Sequence, residues 1–237
     1  MWKANVLTTS PWVFPGPLGV SVIGRALAGL KWGLDVHNLR DFASDKNGSV
    51  DDAPYGGGGG MVLRADVVGD AVDAVFLGNG LPIIYMSPKG TLLNQKVVVE
   101  LASGSGVNLI CGCFEGLDER VLEEYSIIEV SIGDFVLSSG DVAAMVLIDA
   151  CVRMIPDVLG NPESLSEESF SAGLGGGMLL EYPHYTRPKS WRGRSVPDVL
   201  MSGHHGAVHD WRLKMAEAKT RDVRPDLWNL YLQGEKR

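Results

Sequence analysis

Along the first two thirds of the chain, short runs of consecutive apolar residues alternate with segments whose apolar positions recur every three or four residues. NVLTT (5–9) and LDVHNL (34–39) read as strands around a helical stretch near Gly19 to Trp32. Asp66 to Leu77 has helical periodicity, LPIIYMS (81–87) is a buried strand, Asn94 to Ala102 a helix, and VNLICG (107–112) a second buried strand. Leu117 to Glu124 is a short helix, SIIEVSI (126–132) a strand, and Asp141 to Met154 a helix. Strands that are apolar at successive positions must be covered on both faces, which is the mark of a parallel sheet between helices. The pattern therefore predicts an α/β domain spanning 1–159.

The pattern changes at DVLGNPESLSEESFSAGLGGGMLL (157–180), which is rich in Pro, Gly, Ser and Glu and lacks sustained periodicity. Residues 160–180 read as a flexible interdomain linker. EYPHYTRP (181–188) is extended, since two prolines block a helix. Helices are expected over His205 to Ala218 and Pro225 to Leu232. The unit 181–237 is small for an independent core and is expected to pack on something, a second copy of the chain included.

Composition sets the class. The chain has 237 residues, 45% hydrophobic and 21% charged, which is globular. No apolar run approaches the roughly 20 residues of a membrane span, and the start MWKANVLTTSPWVF lacks the basic and apolar regions of a secretory signal. Three cysteines, Cys111, Cys113 and Cys151, suit reduced thiols in a cytoplasmic protein. Cys111 and Cys113 form a CxC pair with no second pair at metal spacing, so no metal is expected. The net charge of −8 is uneven: residues 183–237 hold 11 Lys/Arg against 6 Asp/Glu, a net +5, and four of the five histidines. A basic tail on an acidic body fits either an anion-facing unit or a charged solvated surface.

DDAPYGGGGGMVL (51–63) carries five consecutive glycines. Such a run orders at high entropic cost and packs nothing, so it is either a flexible loop or bare backbone approaching a ligand. The flanking Asp51, Asp52, Pro54, Tyr55 and Met61 to Leu63 favour an ordered loop. Three strand ends carry similar bare turns: IIYMSPKG (83–90), ICGCFEGLDERV (110–121) and EVSIGDFVLSSGD (129–141). Ligands of open α/β sheets sit beyond the carboxyl ends of strands, and Gly112, Gly116, Gly133 and Gly140 permit close approach. TSPWVFPGPLG (9–19) after the first strand holds no phosphate-cradling glycine motif, and no Walker pattern occurs. A neutral or zwitterionic cofactor fits better than a dinucleotide.

DDAPYGGGGGMVL, ICGCFEGLDERV, SIGDFVLSSGDVAAMVLIDA, ESF and EYPHYTRP…VPDVLMSGHH…WR resemble, in the same order, the bacterial tRNA (guanine-N1)-methyltransferases, the TrmD family of the SPOUT superfamily. The resemblance runs from about Trp2 to Leu232. It implies an α/β methyltransferase domain with a deep trefoil knot and a small, mostly helical tRNA-binding C-terminal domain. It also implies a homodimer whose active sites are shared between subunits, and methylation of N1 of guanine 37 in tRNA, with guanine 36 preceding. The implied donor is S-adenosylmethionine, contacted by Tyr85, Met86, Ser87, Pro88, Gly112, Phe114, Glu115, Gly116, Ile132, Gly133, Phe135, Leu137 and Gly140. Guanine would lie near Gly59, Gly60, Glu115 and Arg153. Glu168 aligns with the family's catalytic aspartate, with Arg153 balancing charge on guanine O6.

The chain departs from the family pattern at Cys113 and Phe114, where arginine and tyrosine are usual, and at Ser139, where glycine is. Gly59 stands where proline or alanine is usual, and Ala143 where a proline is common. GLGGGMLL (173–180) is about five residues longer than the family's linker exit. In the tail, Arg187, Lys189, Arg192, Arg194, Arg212, Lys214, Lys219 and Arg221 are candidate phosphate contacts. Trp191 and Trp211 are either stacking platforms or core residues. Of His204 and His205, one is expected to pack or cap a helix.

Overall fold

Five strands of one sheet lie in the order β2-β1-β6-β5-β7: β1 (Trp2–Thr8), β2 (Trp32–Asn38), β5 (Ile83–Leu92), β6 (Gly106–Cys111) and β7 (Ile128–Ser131). Every pairing in it is parallel, as the unbroken apolar runs require. In the computed structural model, residues 1–160 and 165–234 are described. The chain divides into two compact units, Met1–Gly160 and Asn161–Arg237.

Alternation along the strands builds a core on each face of the sheet. Ala4, Val6, Ile84, Met86, Leu109 and Cys111 point to one side, against α1 (Ser21–Ala28), α3 (Gln95–Ser103) and α5 (Gly140–Val152). Leu7, Tyr85 and Ile110 point to the other, against α2 (Ala65–Val75) and α4 (Glu119–Glu124). Fully burying one such aliphatic side chain contributes about 1.5–3 kcal/mol. Asn5 and Asn108 stand opposite each other in register; the Asn5 amide donates to Asn108 Oδ1 at 2.8 Å, and Asn79 completes the pair at 3.0 Å. Beside them Gly106 sits at φ +145, where a Cβ would fall 2.0 Å from the Lys3 carbonyl oxygen; only glycine fits.

The helix starts are set by short polar side chains. Asn94, Asp118 and Ser139 accept from backbone N–H groups of Val97, Arg120 and Asp141 and so cap α3, α4 and α5. A small antiparallel pair, β3 (Asp51–Asp52) and β4 (Val62–Leu63), closes the glycine run into a loop.

The second unit holds the hairpin β8 (Ser190–Trp191) and β9 (Arg194–Ser195) and the helices α6 (His205–Val223) and α7 (Pro225–Gly234). Its core is Leu174, Leu179, Tyr182, Ala216 and Tyr231. Two of these come from the stretch read as linker: Leu179 is fully buried, and its carbonyl accepts from Phe170 N at 3.2 Å. From Leu165 onward that stretch is part of the folded unit, because isolated leucines between glycines can anchor a core without any periodic pattern. Asn161 to Ser164 of the expected linker lie outside the described residues. His204 caps α6 through Nδ1, which accepts from Ala207 N at 3.0 Å.

Candidate active site

Three strand ends converge beyond the carboxyl edge of the sheet. At β5 the pairing with β7 is interrupted: Met86 and Thr91 both stand opposite Val130, so residues 87–90 loop out of the sheet. Gly90 makes this possible, since a Cβ there would lie 2.4 Å from the β7 backbone. At β6 the chain turns through Gly112, Cys113, Phe114, Glu115 and Gly116, with Phe114 held at φ +62. At β7 it turns through 131–139, where Ser131 and Gly133 exchange hydrogen bonds of 3.0 and 3.2 Å, and then enters α5.

The turns fix one another. Gly140 N donates to the Gly112 carbonyl at 2.6 Å. The Asp141 carboxylate, buried, accepts from Thr8 Oγ1 at 2.6 Å and Ser139 Oγ at 2.7 Å. Ser139 therefore contributes a cap and a hydrogen bond that the family's glycine lacks. Gly112 lies against the Tyr85 ring; a Cβ would come 2.4 Å from the hydroxyl. Burial, then the charge of Glu129, pushes Tyr85 up to about 12, so this wall is a neutral phenol at any ordinary pH. Burial raises the Cys113 thiol as well, the Thr9 hydroxyl opposing it, and the buried Cys111 thiol lies well above its usual value.

Between the turns is a cavity of about 240 Å³. Tyr85, Met86, Ser87, Pro88, Gly112, Phe114, Glu115, Gly116, Ile132, Gly133, Phe135, Leu137 and Gly140 all line it. Cys113 and Ser139, two of the departures from the family pattern, line it as well, and so do Lys89, Ser131 and Ser138, which were not singled out from the sequence; serines and a strand-end lysine carry no distinctive signal. Lys89 and Glu115 are the lining charges, one of each sign. The walls are otherwise backbone, hydroxyls and apolar side chains. Such a site suits a ligand with an apolar ring and balanced charge, and it is poor in cations for a pyrophosphate.

The glycine run meets this site at its last member. Glu115 N donates to the Met61 carbonyl at 2.8 Å, and Leu63 N to that of Gly116 at 2.9 Å. Gly60, at φ +81, lies under the Glu115 side chain, so a Cβ would come 2.2 Å from Oε1. Gly59 has nothing within 4 Å of such a Cβ.

Of two further expected residues, Arg153 does not line the cavity, and Glu168 belongs to the second unit. Arg153 closes α5 at the end opposite Gly140, about 20 Å along the helix at roughly 1.5 Å per residue. Glu168 belongs to the second unit, where its carbonyl accepts from Ser171 N at 3.0 Å. Its neighbour Glu167 is engaged there by the Tyr182 hydroxyl and, at 2.9 Å, by Arg212.

A family model described as tRNA (Guanine-1)-methyltransferase TrmD matches residues 2–230. A tRNA (guanine-N(1)-)-methyltransferase of Rhodopseudomonas palustris is 57% identical over 227 residues, covering 96% of this chain and 90% of the relative. Proteins of the same name from Nitrobacter winogradskyi and Brucella ovis are 53% and 52% identical, covering 96% and 100% of this chain and 93% and 95% of theirs.

Proposed function

This chain belongs to the TrmD family of tRNA (guanine-1)-methyltransferases, and from that membership we propose that it methylates N1 of guanine in tRNA, at position 37 where guanine 36 precedes. The observation that supports the reading most is the single cavity lined by every donor contact the family resemblance implies.

The residues present fit S-adenosylmethionine. Gly112, Gly116, Gly133 and Gly140 expose backbone for the adenine, Ile132 and Leu137 give it apolar contact, and Glu115 offsets a positive centre. When bound, the donor supplies a methyl group already activated by its sulfonium charge. The three interlocked turns, with the Gly140 to Gly112 hydrogen bond, are what the trefoil knot of the family would produce.

Glu168 is the general base: its carboxylate takes the proton from guanine N1 as the methyl is transferred, which requires an approach of roughly 2.6–3.2 Å. Arg153 stabilises charge developing on guanine O6. Arg153 lies away from the cavity of its own chain by the length of α5, so a homodimer with shared sites accounts for its place, and Glu168 would be lent by the partner subunit. The α5 surface supports that assembly. Val142 and Val146, one turn apart on a largely buried apolar helix, are exposed, and an exposed apolar pair of this kind wants a cover. The basic stretch 183–237 of the second unit holds the tRNA, in the cytoplasm. No helix among the described residues is long and apolar enough to cross a membrane.

Glu168→Ala should abolish methyl incorporation into tRNA, a loss of about 10²-fold or more, while binding of S-adenosylhomocysteine is retained. Near-normal turnover would remove Glu168 from the role.

A further inference from the structure

Among the described residues some cations are held in ion pairs and others are not. Lys3, Arg64, Arg120, Arg212 and Arg224 each hold a carboxylate within 3.4 Å. Arg187, Lys189, Arg192 and Arg194 make no ion pair among the described residues. All four are exposed and flank or form the β8–β9 hairpin, and no acidic residue lies between Tyr182 and Pro197.

An aromatic ring stands in the middle of them. Trp191 is 58% exposed, with the Arg192 guanidinium 4.8 Å from its ring centre. The other tryptophans of this unit are spent on packing: Trp211 lies half-buried on Tyr185 at 6.1 Å, and Trp228 packs on Tyr231 at 5.4 Å. The hairpin turn is also strained. Arg192 sits at φ +50 and Gly193 at φ +76, the two-residue turn that favours Asn-Gly. A long cationic residue in the first position is held there against its backbone preference. It is fixed by pairs Ser190 to Ser195 and Trp191 to Arg194, and by Val196 N on the Lys189 carbonyl at 2.9 Å.

We propose that the β8–β9 hairpin is a tRNA-gripping finger, in which Trp191 stacks on an unpaired base and Lys189, Arg192 and Arg194 neutralise the phosphates beside it. An exposed indole flanked by unpaired cations is the arrangement that binds single-stranded nucleic acid, by stacking plus counterion release. Arg192 on the ring adds its charge to the same platform. The inference rests on the tRNA reading above and adds to it the element and the contact.

The test compares the intact chain with Trp191→Ala, Trp191→Phe and the double variant Arg192→Ala/Arg194→Ala. It follows tRNA affinity over a salt series, S-adenosylhomocysteine binding by calorimetry, and molar mass. Trp191→Ala should weaken tRNA binding on the order of 10-fold or more, and Trp191→Phe much less. The double variant should flatten the slope of log affinity against log salt by about 1.5 to 2. Binding of S-adenosylhomocysteine and molar mass should be unchanged in all three. Unchanged tRNA affinity and slope, with the intact chain still methylating tRNA, would overturn the finger alone. A change in molar mass in place of affinity would make the hairpin a protein contact and overturn it equally. An intact chain that neither binds nor methylates tRNA would overturn the functional reading beneath it.

Discussion

Two glycine-rich stretches, 56–60 and 173–177, look alike in sequence and behave oppositely. In the first, Gly56 to Gly59 have open space where side chains would be, and only Gly60 touches anything, the Glu115 carboxylate at the mouth of the cavity. In the second, Gly173 packs on the Ser166 carbonyl and Gly175 on Leu179, so a Cβ would fall 2.3 and 2.5 Å from them. That stretch is a tight turn that tucks Leu174 and Leu179 into a core. One run leaves backbone free beside a ligand site; the other uses the absence of side chains to let two leucines close. Glycine content alone does not separate these uses, whereas the residues on either side do.

The sharpest way to break the comparison is in the second stretch. Leu179→Ala should cost the second unit about 2–5 kcal/mol, because the core there has only five buried members among the described residues and little to compensate. Gly175→Ala should act in the same direction, since φ +57 and the Leu179 side chain both oppose a Cβ. Denaturant unfolding resolves both, and a variant as stable as the parent would return the stretch to the status of linker.

A smaller effect divides the first run internally. Gly60→Ala should displace Glu115 and weaken methyl transfer, together with a loss of about 1 kcal/mol or more from a left-handed backbone. Gly59→Ala should be neutral or stabilise by about 0.4–1 kcal/mol through the unfolded chain, as its open surroundings allow. Equal effects at the two positions would erase the distinction.

The smallest effect at neutral pH concerns the ring that makes Gly112 obligatory. Tyr85 ionises at the ordinary 10.0 when unfolded and at about 12 when buried. Below pH 10 both states keep the proton. Between 10 and 12 only the unfolded chain releases it, so stability is lost as pH rises through that window. Tyr85→Phe should leave stability at pH 7 nearly unchanged and make the alkaline decline shallower. Tyr125 and Tyr182, raised by burial and by Asp73 and Glu167 respectively, would supply the rest. An unaltered alkaline profile would mean that Tyr85 is solvated.

What was readable in the chain itself was whatever rests on local chemistry. Apolar runs such as IIYM and NLIC allow only a doubly covered strand, and the residues lining the cavity sit in turns whose glycines are visible in the string. Asn94, Asp118 and Ser139 cap helices because their oxygens reach the next turn without help from elsewhere. Tertiary structure alone decided the matters that join distant segments. It opposed Asn5 to Asn108, engaged Glu167 with Arg212, buried Leu179, and left Trp191 exposed while Trp211 packed. A side chain's partner depends on the path of the whole backbone. No spacing within one segment specifies which other segment will arrive beside it.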